Sequence, residues 1–110
     1  MYSDEDGPLI YQIDVLPVAP VAGDYIGVTA YAIDPSGVSN VLLSYTIDGT
    51  NWNLMDMNFI SCLCAAGGRW VVSFGPVDNS NIVRFFATAY DASPMLNHAD
   101  SQIVSVEIGI

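Results

Sequence analysis

The sequence predicts an all-β fold: a two-sheet antiparallel β-sandwich of about seven strands. Three observations carry this. Short stretches alternate apolar and polar residues with period two, turn signals separate them every eight to twelve residues, and no segment has helical periodicity. A chain with that pattern buries its one-sided strands most economically by packing two sheets face to face.

Residues 1–8, MYSDEDGP, are polar and acidic and end in Gly-Pro. They read as a flexible lead-in or interdomain linker, with a single domain over 9–110. In that reading the domain is one module of a longer protein. Residues 9–16, LIYQIDVL, set Leu9, Tyr11, Ile13 and Val15 against Ile10, Gln12 and Asp14, a half-buried first strand. Pro17 and Pro20 cannot donate to a ladder, and Ala22-Gly23-Asp24 turns the chain.

Residues 25–33, YIGVTAYAI, form the second strand, with Ile26, Val28, Ala30 and Ala32 expected in the core and Tyr25, Thr29, Tyr31 and Ile33 on the other face. Asp34-Pro35-Ser36-Gly37 ends it, Pro fixing φ and Gly allowing positive φ. A shortened echo, FATAYDASP, follows at 86–94. The two segments are expected to face each other across the sandwich.

Residues 40–48, NVLLSYTID, put Val41, Leu43, Tyr45 and Ile47 on one face and Leu42, Ser44, Thr46 and Asp48 on the other. Asp48-Gly49 is a hairpin signal, and Trp52, Leu54 and Asp56 return as a short strand. Residues 58–66, NFISCLCAA, are nearly all apolar, and Gly67-Gly68 turns them into RWVVSF at 69–74. Residues 82–90, IVRFFATAY, place Val83, Phe85, Ala87 and Ala89 together, opposite Arg84, Phe86, Thr88 and Tyr90. After a loop at 91–100 the last strand, 101–108, should point Val104, Val106 and Ile108 inward.

The chain of 110 residues is the size of one domain and buries roughly 65% of the surface its unfolded form exposes. Twelve acids face two arginines and no lysine, a net charge of −10. That balance argues against nucleic acid, whose phosphates require basic patches. It argues equally against electrostatic attachment to anionic lipid. No run of eighteen apolar residues marks a membrane helix.

A family pattern is carried by Asp34-Pro35-Ser36-Gly37-Val38, then Val41-x-Leu43-x-Tyr45, then Asp48-Gly49-x-x-Trp52, and later Phe85-x-Ala87-x-Ala89-x-Asp91. It resembles the immunoglobulin-like or fibronectin type III-like modules that occur in tandem on bacterial and archaeal secreted and cell-surface proteins. The resemblance spans about residues 9–109. It implies a seven-stranded sandwich, an extracellular or cell-surface setting, and a spacer, adhesive or accessory role without catalysis. The chain departs from the pattern in Asp91-Ala-Ser-Pro94, where such modules often carry Asp-x-x-Gly-Asn. The disulfide of antibody domains is absent, with small residues in its place.

Several residues are candidates for chemistry. Cys62 and Cys64, two apart in a strand, would have Cα atoms about 6.6 Å apart with parallel Cβ vectors, a poor disulfide geometry. They read first as small buried apolar side chains, a strained or intermolecular bridge being the main alternative and a metal site, for which only His98 offers a third ligand, the lesser one. Asp34 and Asp91 end the two echoed strands at one pole, with Asp100 nearby, and such oxygen clusters can hold calcium. Equally, each can serve the turn amides that follow it. No other cofactor is expected. His98 is the only histidine, and no nucleophile motif, phosphate loop or carboxylate pair in a cleft accompanies it. The chain is therefore expected not to be an enzyme.

Outward-facing Tyr31, Leu42, Phe86 and Tyr90 form a candidate protein-contact patch. Trp52 is a candidate carbohydrate platform. The expected partners are neighbouring domains, other surface proteins or further copies of the chain. The alternatives are a carbohydrate-binding accessory module or a subunit of a self-assembling surface layer or filament.

Overall fold

A computed structural model describes residues 7–34, 37–60, 67–78, 82–92 and 97–109. These hold nine strands and no helix: β1 (Leu9–Leu16), β2 (Ile26–Ile33), β3 (Val38–Thr46), β4 (Trp52–Asp56), β5 (Asn58–Ile60), β6 (Gly67–Phe74), β7 (Ile82–Asp91), β8 (His98–Asp100) and β9 (Val104–Glu107). They form two antiparallel sheets. The first runs β1-β2-β6-β5. The second runs β4-β3-β7, with β8 and β9 both along the far edge of β7. The expected two-sheet sandwich is the observed architecture.

The two echoed segments lie in opposite sheets, and their inward faces are the centre of the core. Ile26, Val28, Ala30 and Ala32 of β2 are at most 1% exposed, as are Val83, Phe85, Ala87 and Ala89 of β7. Val41 and Leu43 of β3 and Trp70 and Phe74 of β6 join them in the core. Period-two alternation is strictest where a strand has neighbours on both sides, because only there is one whole face sealed. β2, β3, β6 and β7 are those strands.

β1 departs from the alternation expected of it. Its register against β2 shifts between Ile10 and Gln12, leaving Tyr11 as the extra residue of a bulge. One added residue reverses every later side chain. Ile10, Ile13 and Val15 therefore pack against the core, while Leu9 and Tyr11 are 60% and 46% exposed.

The segment after the β3–β4 hairpin changes sheets at a single residue. β4 pairs with β3, β5 pairs with β6, and Met57 lies between. Met57 N–H donates to the Val41 carbonyl at 2.9 Å while its side chain is buried. The unbranched thioether suits such an irregular gap.

The last strand is split rather than continuous. β8 and β9 are separated by residues 101–103. Ser101 makes the break tolerable: its Oγ accepts the Ala87 N–H at 2.9 Å, and its own N–H donates to the Ala87 carbonyl at 2.8 Å. A side-chain oxygen thus replaces a missing ladder carbonyl. Val104, Val106 and Ile108 pack against the core, as their spacing implied. Gly109 also binds back across the domain, its N–H donating to Pro20 and its carbonyl accepting from Ala22.

The Asp34–Gly37 and Asp48-Gly49 signals are turns, whereas Gly67-Gly68, expected as a turn, are the first residues of β6, paired with Ile33 and Ala32 because a strand without side chains fits against that neighbour. Gly37 and Gly49 have φ of 90° and 81°, a region open to glycine at little cost. Gly7 lies against the His98–Ala99 backbone, too close for any side chain, and Pro8 is buried.

Candidate functional site

Asp34 and Asp91 come to the same pole, where main-chain bonds tie their loops together. Gly37 N–H donates to the Asp34 carbonyl at 2.8 Å, and Ala92 N–H donates to the Gly37 carbonyl at 2.9 Å. Asp91 N–H donates to Asn97, and the Asp91 carbonyl accepts from Ser39 Oγ at 3.0 Å. Both aspartates are buried, at 3% and 0% exposure. Asp100 sits elsewhere. It pairs across the ladder with Thr88, three residues before Asp91, and its carboxylate accepts the Thr88 hydroxyl at 2.6 Å. Among the described residues no three His, Cys, Asp or Glu side chains come together as a metal set. The three aspartates are therefore not assembled as one calcium centre there. Cys62 and Cys64 lie outside the described residues.

The remaining candidates fall on the outer faces. Tyr31 is on the outer face of the first sheet, paired with Gln12 and Arg69, its ring centroid 6.0 Å from that of Tyr11. Leu42, Phe86 and Tyr90 are on the outer face of the second sheet, each half-buried. The four residues thus do not form one patch, because β2 and the β3–β7 pair belong to different sheets.

Register draws the second sheet's outer face row by row. Leu54, Ser44 and Phe86 lie side by side across β4, β3 and β7. The next row is Asp56, Leu42, Thr88 and Asp100, an apolar centre with a carboxylate at each end. On the other side are Trp52, Thr46, Arg84 and Ser105. Beyond Leu42, Asn40 pairs with Tyr90, whose ring lies 5.4 Å from that of His98.

Trp52 belongs to this face. Its ring centroid is 5.7 Å from that of Phe86, tilted by 53°, and it lies on the row of fully buried Thr46. Trp52 and Leu54 remain 45% and 64% exposed. Apolar side chain on the edge strand is thus open to solvent beside half-buried Phe86. Joining Trp52 to Phe86 requires the β3–β4 register, which the Asp48-Gly49 signal alone does not supply.

The turn that sets this register is polar and tight. Asp48 accepts hydrogen bonds from the N–H groups of Thr50 and Asn51, each at 2.8 Å, from the Asn51 amide and from the Thr46 hydroxyl. These bonds, led by the Asn51 and Thr50 backbone groups, hold the Asp48 carboxyl well below the usual carboxylate range. Thr46 Oγ1 in turn accepts the Gly49 N–H at 2.9 Å.

Two shallow grooves open on the described surface. One lies on the first sheet over Gly27, between Leu16, Thr29, Asn58 and Val71. The other opens the sandwich edge between β1 and β8–β9, beside Ile10, Ile13, Asp100 and Val104.

Fold and surface together define a β-sandwich whose second sheet carries an open apolar face with acidic margins. No protein-family model matches the chain, and no curated protein matches it.

Proposed function

We propose that the chain is a non-catalytic structural or adhesive module of a secreted or cell-surface protein, working through protein–protein or domain–domain contact. The observation that carries this is the outer face of the second sheet. Trp52, Leu54, Leu42, Phe86 and Tyr90 lie there on three adjoining strands, with Asp56 and Asp100 at the margins. Interfaces are built this way, with an apolar and aromatic centre and a polar rim.

The immunoglobulin-like reading has support in the strand order. Immunoglobulin sandwiches place their first, second, fifth and fourth strands in one sheet and the third, sixth and seventh in the other. The order β1-β2-β6-β5 against β3-β7-β9 matches this when β4 is counted as an added strand at the β3 edge. Modules of that class are commonly used for contact rather than chemistry, which is an argument from analogy.

The test is site-specific photo-crosslinking in the native source. A benzophenone side chain at Phe86 should capture a protein neighbour, and the same group at Tyr31 should not. Capture at Tyr31 alone, or at neither, contradicts the assignment of the contact face.

A second reading, a carbohydrate-binding accessory module, is favoured by the exposure of Trp52 beside Phe86. Glycan-array binding that Trp52→Ala abolishes would establish it; no binding to any polysaccharide would remove it.

A further inference from the structure

We propose that the free edge of β4 pairs with a second copy of this chain, β4 against β4, antiparallel about Leu54. The inference rests on the contact-module reading and names the partner of that face. Among the described residues β4 is hydrogen-bonded on one side only, to β3. Soluble proteins guard such edges with lysine, proline, bulges or a covering element, because an unpaired edge templates another strand.

Two of the other edges are guarded, and the fourth, β5, is only three residues long among the described residues. β1 has its bulge at Tyr11, carries Asp14 and is followed by Pro17. The β8–β9 edge is broken at residues 101–103. β4 has none of these devices. Its register against β3 is unbroken over Trp52–Asp56, it contains no proline, and the chain has no lysine to place there. Its single charge is Asp56, at its end.

The strand is self-complementary under a two-fold axis, the symmetry of most homodimers. Antiparallel pairing centred on Leu54 sets Leu54 against its twin and Trp52 against Asp56 of the other copy. No carboxylate within β4 then faces another. The side chains of Trp52, Leu54 and Phe86 from both copies become one continuous apolar strip, with Leu54 at its middle. Opposing this is the charge of −10 on each copy, which salt screens. Association should therefore tighten as salt rises, the reverse of pairing with a basic partner.

The experiment is sedimentation velocity of the 110-residue chain over micromolar to millimolar concentration at low and high salt. A concentration-dependent dimer is expected, tighter in high salt. Leu54→Lys should raise its Kd by more than about tenfold, a lysine on the edge being the natural guard. Leu16→Lys, at an equally exposed site on β1, should leave Kd unchanged. Amide hydrogen exchange should show β4 gaining protection with concentration while β1 does not. A monomer throughout, or a dimer that Leu54→Lys leaves intact, overturns the proposal. If the chain is monomeric and a crosslinker at Phe86 still captures a different protein, only the self-pairing fails. If neither occurs, the contact reading fails with it.

Discussion

The ring of Tyr45 on β3 lies on the ring of Phe74 on β6, centroids 4.4 Å apart and 22° from parallel. The two sheets are joined at this point by one aromatic stack, with Phe85 of β7 meeting Phe74 edge-on at 6.2 Å. Phe74 therefore meets rings from both central strands of the second sheet. Phe74→Ala should destabilise the chain by about 3–5 kcal/mol in urea unfolding. A loss below ~1 kcal/mol would place the stack outside the cooperative core.

Ala30 and Ala89 are fully buried on the inner faces of opposite sheets. Leucine adds three heavy atoms to alanine at each of these sealed sites. Ala30→Leu or Ala89→Leu should each cost about 1–3 kcal/mol by overpacking. Unchanged melting of either variant would mean that the core around it is loosely filled.

These alanines show what the sequence made legible and why. Strands paired on both sides bury one whole face, so their alternation survives as pattern, and β2 and β7 could be read residue by residue. β1 could not, because a bulge inserts one residue without any compositional mark and reverses Ile13 and Val15 relative to Leu9. The break at Ser101 is similarly hidden: a serine hydroxyl standing in for a backbone carbonyl looks like any other serine. At the candidate site, Leu42, Phe86 and Tyr90 were identifiable because they alternate with core residues on β3 and β7. Tyr31 resembles them in sequence only as another outward aromatic, and sheet membership separates it. Trp52 was visible as a lone tryptophan, but its contact with Phe86 comes from the register Trp52↔Thr46.

Gly68 and Phe59 form a coupled pair at the other margin. Phe59 lies on β5 opposite Trp70, ring centroids 5.2 Å apart, and its ring fills the space a Cβ on Gly68 would need. Gly68→Ala should destabilise by about 1–2 kcal/mol as the ring is displaced. In a Phe59→Ala background the same change should be nearly neutral. Equal costs in both backgrounds would show that the penalty has another source.

The Asp48 turn makes an acid-pH prediction. Its carboxyl is depressed in the folded chain, so its contribution is present above the unfolded carboxylate value of about 3.9. That contribution is lost as pH falls below that value and on through the lower folded one. Asp48→Asn should flatten the acid limb of the stability–pH curve. A curve unchanged by Asp48→Asn would remove Asp48 from the acid response.

The most direct measurement is carbene footprinting of the chain in its native source against the dilute isolated chain. Trp52, Leu54, Phe86 and Tyr90 should lose labelling in the native setting, while Tyr31 and Leu16 on the first sheet keep theirs. Equal labelling in both settings, or protection confined to Tyr31 and Leu16, would contradict a contact function for the outer face of the second sheet.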